Sequence, residues 1–207
     1  MDRHDDYDGE ALTADGVDPD PVVQFGRWLA DAEAAGLPEP NAMVLSTVDA
    51  TGPTSRTVLL KGLLDGCFEL VTNGGSRKGA ALADDGRVSL AFPWYGLQRQ
   101  VLVDGDAVPA PAAVSDAYWA TRPRGSRIGA WASRQSQPIA DRATLDAQVA
   151  EAERRFAGED VPRPQFWGAW LVRPRRVELW QGRPSRLHDR LVYTPSEDGW
   201  RITRLQP

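Results

Sequence analysis

The residues best equipped for chemistry crowd the end of the chain, where Phe166 to Pro207 reads FWGAWLVRPRRVELWQGRPSRLHDRLVYTPSEDGWRITRLQP. Trp, Arg and one of only two histidines recur there on alternating, strand-like segments, and core packing alone does not call for so many guanidiniums. Flat aromatic faces beside fixed cations suit a flat, anionic ligand. Trp180, Arg186, His188 and Arg190 are the candidates; if the segment is extended, Arg186, His188 and Arg190 share one face. A histidine flanked by in-phase arginines is harder to bury than a lone one, although a structural role stays open.

Three further clusters carry polar chemistry. In SRTVLLK, Arg56 and Lys61 fall on opposite faces of a strand unless a bend intervenes, and they also read as two solvated charges at strand ends. In TNGGSRKG (72–79), a Gly-Gly turn feeds a helix that begins with Ser76, Arg77 and Lys78. Cations at a helix start oppose the helix dipole, so their presence points to a bound anion such as phosphate, with a capped surface helix as the plain alternative. In YWATRPRGS (118–126), Tyr118, Arg122 and Ser126 recur every four residues across Pro123, so they converge from one helix end and the next helix start. Two hydroxyls and a guanidinium suit a phosphomonoester, though a surface helix fits the spacing equally well.

The elements that must position these groups are short strands. Asp20-Pro21 starts a helix with Phe25, Trp28, Leu29 and Ala32 on one face, stopped by Gly36. Strands follow at 41–48, 56–61, 67–72, 87–92 and 100–108, with a short helix over 76–85. Helices are expected in SDAYWATRP, around Ile128–Ala132 and over 141–157, the last with a Leu145, Val149, Ala152, Phe156 stripe and a Glu151–Arg155 pair. Two or three more strands close the chain, with Ala169, Leu171, Val177 and Leu179 evenly spaced. Many short strands with few helices between them predict a mainly β, α+β architecture built on an antiparallel barrel.

Length and composition fit one globular domain: 207 residues, 42% hydrophobic and 26% charged. The net charge of −5 is uneven, because the first 20 residues hold eight acids and only Arg3 as a base. Residues 1–19 therefore read as an acidic, flexible arm, and 20–207 as the folded domain with a small positive excess. That balance favours a small anion over nucleic acid. One cysteine, Cys67, excludes an internal disulfide and a Cys-cluster metal site, and no apolar run is long enough to span a membrane. An acidic N-terminus is no secretory signal, so cytoplasmic residence is expected. Dinucleotide, Walker, GxSxG and HExxH signatures are absent.

Taken in order, RTVLLK, TNGGSRKG, RVSLAFPWYGLQRQV, YWATRPRGSRIGAWASRQSQPI, FWG, ELWQGRPSRLHDR and the terminal RLQP resemble the pyridoxamine (pyridoxine) 5′-phosphate oxidase family from about Asp20 to Pro207. The resemblance implies an FMN-binding split β-barrel, a homodimer with FMN at the subunit interface, and no metal. It implies that Arg56, Lys61, Val71, Thr72, Arg77, Lys78, Gln100, Gln135, Ser136, Trp180 and Arg190 contact FMN, some from the partner chain. Lys61, Tyr118, Arg122 and Ser126 would hold the substrate phosphate, with Arg186 and His188 over the substrate ring as the catalytic pair. The implied reaction turns pyridoxine or pyridoxamine 5′-phosphate into pyridoxal 5′-phosphate, with O₂ as acceptor and release of H₂O₂. A phenazine-type FMN oxidase acting on a reduced aromatic substrate is the alternative; retention of the four phosphate residues favours the phosphorylated substrate. A non-catalytic flavin- or pyridoxal-phosphate-binding protein is a third. The family's arm is basic, with an Arg and a Tyr that help close the site; here Tyr7 matches the Tyr, and only Arg3 or His4 stands in for the Arg.

Overall fold

The computed structural model describes residues 7–207, so Arg3 and His4 lie outside the described residues. Nine antiparallel strands run through them: β1 (Ala42–Asp49), β2 (Gly52–Leu59), β3 (Gly62–Leu64), β4 (Cys67–Asn73), β5 (Arg87–Trp94), β6 (Arg99–Pro109), β7 (Trp167–Gln181), β8 (Asp189–Ser196) and β9 (Gly199–Leu205). The sheet order is β2-β1-β5-β6-β7-β4-β3, with β8 on β7 and β9 on β8. β7 is where the sheet divides. One edge pairs with β6 over Trp170–Gln181, while the other pairs with β4 over Trp167–Val172 and with β8 over Val177–Gln181. This is the α+β split-barrel arrangement that the strand spacing and the resemblance predict.

A bulge corrects the expected even spacing on β7. Asp104 pairs with Arg176 but Gly105 with Pro174, so Arg175 is the extra residue and the facing pattern flips there. Val172 is buried before the bulge, Val177 and Leu179 after it, and Leu171 is left half-buried. Gly105 is required opposite: a Cβ on it would meet the Arg173 carbonyl oxygen at 2.3 Å.

Five helices pack around this sheet: α1 (Pro21–Ala34), α2 (Arg77–Asp84), α3 (Ala112–Thr121), α4 (Arg124–Ala132) and α5 (Arg142–Arg155). The Asp20 side chain caps α1 by accepting from the Val22 N–H at 2.8 Å, and Phe25 enters the barrel against Phe68 (4.9 Å between rings) and Phe92 (4.6 Å). A second cluster joins Trp119, Ile128, Phe156, Val161 and Trp167 beneath α3, α4 and α5. There Glu151 pairs with Arg154 rather than the expected Arg155, whose guanidinium sits 4.7 Å over the Trp131 ring instead. A weakly hydrated guanidinium gains more on a half-buried indole than in a solvated pair.

The acidic arm, expected to be flexible, is seated on the body from Tyr7 onward. Leu12 is buried at 8% exposure, its N–H donates to Asp189 at 3.1 Å, and Arg204 and Arg183 donate to the carbonyls of Leu12 and Gly9. Asp18 accepts from Arg27 at 2.6 Å, and Gln98 exchanges two hydrogen bonds with Asp8. Composition counts apolar surface and misses this, because backbone carbonyls bonded to arginines do the anchoring. No helix among the described residues is long and apolar enough to cross a membrane.

Candidate functional site

The first group of candidates converges on the β4–α2 junction. Ser76 caps α2, its hydroxyl accepting from the Gly79 N–H at 3.2 Å and donating to the Asn73 carbonyl at 2.6 Å, so the helix starts against the end of β4. Gly79 permits this closeness, since a Cβ there would lie 2.4 Å from the Asn73 oxygen. Val71, Thr72, Lys78, Arg122, Ser126 and Gln135 line one cavity of about 280 Å³ beside Trp167. Lys78 Nζ donates to Gln135 Oε1 at 2.9 Å. Arg56, on β2, donates to the Leu45 carbonyl at 3.1 Å and to the hydroxyls of Thr47 and Thr54 at 2.8 and 2.6 Å.

Burial and mutual repulsion act on the cations of this junction. Burial, then the charge of Arg77, pushes the Arg56 pKa down; burial, then the charge of Arg56, does the same to Lys78. Both cations spend their hydrogen bonds on neutral oxygens. Arg77 differs: its Nε meets Asp49 at 2.7 Å and its Nη2 the Thr51 hydroxyl at 2.7 Å, which holds the Asp49 carboxyl well below the ordinary carboxylate range.

Tyr118, Arg122 and Ser126 meet as their spacing implies, across the α3–α4 corner. Arg122 caps α3, Pro123 opens α4, and Arg122 Nη2 donates to the Ser126 carbonyl at 2.8 Å. The Arg122 guanidinium lies 4.7 Å over Trp167, and burial depresses its pKa first. Tyr118 stacks on the same Trp167 at 6.1 Å, and Lys61 Nζ stands 5.4 Å from the Tyr118 ring. Lys61 arrives there because the chain leaves β2 at Leu59 and bends before β3, the break that the Arg56–Lys61 spacing left open. Glu69, on the cavity-facing side of β4 with Val71, is raised by burial and lowered by Lys61, with a net rise.

The second group sits elsewhere. Gln100, Trp180 and Arg190 form a cross-strand row over β6, β7 and β8, and Gln100 and Trp180 line a cavity of about 170 Å³ with Tyr7, Pro93, Tyr95, Gln98 and Arg99. The His188 ring lies 4.5 Å from Trp180 and 5.4 Å from Tyr7, and its Nδ1 accepts from the Arg183 N–H at 3.1 Å. The segment before it is not extended as supposed: Pro184–Arg186 is a 3₁₀ turn, and Ser185 and Arg186 take left-handed φ of 58° and 62°. The extended geometry under which Arg186, His188 and Arg190 would alternate onto one face is therefore interrupted at Arg186, where two consecutive left-handed residues turn the chain before β8 begins. Ser136, also left-handed at φ 72°, is exposed beside Gln135. Among the described residues no hydrogen bond, ion pair or ring contact joins Gln100, Trp180, His188 or Arg190 to the first group.

Several site residues escaped sequence reasoning. Trp167 is the shared floor under Tyr118 and Arg122, and FWG next to a candidate strand was its only signal. Asp49, which fixes Arg77, sits in a turn sequence, DATGP, that reads as connection alone. Glu178 accepts from Arg190 Nε at 2.7 Å and from Arg176 Nη2 at 2.5 Å while only 3% exposed, a placement no local pattern announces.

Residues 29–156 match the family model described as pyridoxamine 5′-phosphate oxidase, and residues 167–207 match the one described as the pyridoxine 5′-phosphate oxidase C-terminal dimerisation region. A pyridoxine/pyridoxamine 5′-phosphate oxidase of Rubrobacter xylanophilus is 55% identical over 203 residues, covering 98% of this chain and 94% of the relative. One of Thermobifida fusca is 51% identical, covering 97% and 95%. Among solved structures, PhzG from Burkholderia lata 383, in complex with tetrahydrophenazine-1-carboxylic acid, superposes with a TM-score of 0.88 at 31% identity over 96% of this chain and 99% of that one. An FMN-binding protein of Nostoc punctiforme, related to pyridoxamine 5′-phosphate oxidase, shares the fold at a TM-score of 0.74 and 15% identity.

Proposed function

On the premise that this chain belongs to the pyridoxamine 5′-phosphate oxidase family, we propose that it is an FMN-dependent oxidase making pyridoxal 5′-phosphate from pyridoxine or pyridoxamine 5′-phosphate. One observation carries the reading: Arg56 and Lys78 adjoin at a capped helix start, and Arg122 lies in the same cavity as Lys78, each hydrogen-bonded to neutral oxygens. Cations so placed repel one another until an anion arrives, and two phosphate groups, one from cofactor and one from substrate, satisfy them. The donor set fits FMN on these grounds, and bound FMN supplies hydride acceptance from the substrate and return of electrons to O₂ as H₂O₂.

The chain's own residues then divide the work. Arg56, Arg77 and Lys78 hold the cofactor phosphate, with Val71, Thr72, Gln135 and Ser136 along its length. Lys61, Tyr118, Arg122 and Ser126 clamp the substrate phosphate; Trp167 keeps the Tyr118 ring and the Arg122 fork in place before substrate enters. Gln100, Trp180 and Arg190 complete the cofactor pocket, and Arg186 and His188 face the substrate ring. Because His188 Nδ1 accepts a backbone N–H, the neutral ring carries its proton on Nε2 and presents a donor to a substrate oxygen. The second group reaches the first through a homodimer, in which each site takes its β4–α2 half from one copy and its β7–β8 half from the other. The match of residues 167–207 to a dimerisation region supports this arrangement.

The likeness to PhzG supports a second reading, in which a reduced tricyclic aromatic acid is the substrate. Anaerobic mixing of FMN-loaded protein with pyridoxine 5′-phosphate separates the two. The expected result is bleaching of the visible flavin band, then recovery in air with pyridoxal 5′-phosphate formed. A flavin that stays oxidised with both phosphorylated vitamers yet bleaches with a reduced phenazine carboxylate would overturn the first reading in favour of the second.

A further inference from the structure

Among the described residues Glu178 is the one acidic side chain that is buried, at 3% exposure, and it lies two residues from Trp180 on the same face of β7. Its Oε1 accepts from Arg190 Nε at 2.7 Å and its Oε2 from Arg176 Nη2 at 2.5 Å, while Arg176 Nη1 reaches Asp104 at 3.4 Å. Burial alone would raise the Glu178 pKa; the hydrogen bonds from Arg190 and Arg176 together outweigh it and leave the group ionised. A buried ion pair adds little net stability over apolar side chains of the same volume, so stability is a poor reason for this carboxylate. Its geometry gives a better one. Arg190 also donates through Nη1 to the Gln206 carbonyl at 3.1 Å. With Nε and Nη1 both committed, the guanidinium plane is set, and Nη2 carries no hydrogen bond among the described residues.

Resting on the reading of Arg190 as an FMN contact, we propose that Glu178 is a positioning residue that holds the Arg190 guanidinium in the orientation the cofactor requires. Arg176 neutralises the second carboxylate oxygen and stands apart from the ligand. Glu178 touches neither cofactor nor substrate; it acts through Arg190 alone.

The test is FMN affinity of the apoprotein, read by quenching of flavin fluorescence, alongside thermal unfolding. Glu178→Gln is expected to weaken FMN binding about tenfold, the weight of one charge-assisted hydrogen bond. Combined with Arg190→Lys it is expected to weaken binding no further than Arg190→Lys alone, because both act through one contact. Arg176→Met is expected to stay within about threefold of wild type. If Glu178→Gln fails to fold, Arg176→Met with Glu178→Met removes a cation and an anion together and fills the space, and it must show the same tenfold loss. Losses that add in the Glu178→Gln, Arg190→Lys protein, or wild-type affinity in Glu178→Gln beside a weakened Arg190→Lys, would overturn the positioning role alone. Wild-type affinity in Arg190→Lys would remove the Arg190 reading, and the proposal with it.

Discussion

At the scale of the residue, charge placement decides what the site binds. Arg122 lies over Trp167 and donates to a neutral carbonyl, so Arg122→Met removes a cation without stranding a carboxylate. The expected outcome is a KM for pyridoxine 5′-phosphate raised roughly 10–100-fold, with FMN content retained and kcat little changed. Steady-state kinetics on FMN-saturated protein checks it; a fall in kcat at unaltered KM would place Arg122 elsewhere. Lys78 gives a pH signature. Burial and Arg56 depress its pKa, so it loses its proton, and its pull on phosphate, at lower pH than the ordinary lysine value of 10.5. FMN affinity of the apoprotein should therefore decline with rising pH before that value is reached, and Lys78→Arg should flatten the decline because a guanidinium stays protonated. Fluorescence titration across alkaline pH reads both. The cations themselves were legible from sequence: Arg56, Lys78 and Arg122 stand in basic or hydroxyl-rich runs. Their partners were not, because Leu45, Thr47 and Gln135 are brought to them by strands and helices distant in the chain.

At the scale of the element, close approach of backbone sets the site's dimensions. α2 starts hard against β4, and Gly79 is the residue that allows it. Gly79→Ala must push the helix away from Asn73, at a cost of about 1–3 kcal/mol, and must carry Lys78 with it. Urea unfolding and FMN titration should both show the loss; a variant of normal stability and affinity would mean the helix has room to shift. The helix itself was readable from its Gly-Gly entry and Ser76 cap, as were α1 and most strands from their alternation. What alternation concealed was the bulge at Arg175, since one added residue changes the face of everything after it without changing composition. The turn at Ser185 and Arg186 was concealed for a related reason: neither residue type announces a left-handed φ.

At the scale of the whole molecule, the candidate residues of one chain fall into two separate groups. If each complete site joins halves from two copies, a protein lacking the first half (Lys78→Met) and one lacking the second (Trp180→Ala) should each be nearly inactive alone. Unfolded and refolded together in equal amounts, they should recover about a quarter of wild-type activity, because half the dimers are mixed and each mixed dimer has one intact site. No recovery on mixing, with dimers confirmed by light scattering, would mean that each copy closes its site by itself. The runs that hold the candidates were readable in the sequence, but their division into two groups was not, because it is a property of strand order. The arm belongs to this scale too: its acids read as a solvated tail, and the fold uses Asp18 as the ion-pair partner of Arg27, beside the Asp20 helix cap that the Asp-Pro start predicted.

β7 carries members of both groups on one strand. Trp167 lies near one end of the strand and Trp180 near the other, thirteen residue steps apart, so at about 3.3 Å a step they stand at most roughly 43 Å from each other, less the bend at the Arg175 bulge. β6 braces one edge of β7 over Trp170–Gln181, while β4 and β8 brace the other over Trp167–Val172 and Val177–Gln181. No hydrogen bond, ion pair or ring contact among the described residues joins Gln100, Trp180, His188 or Arg190 to the first group, so a substitution beside one tryptophan reaches the other group only through β7 and the strands that brace it.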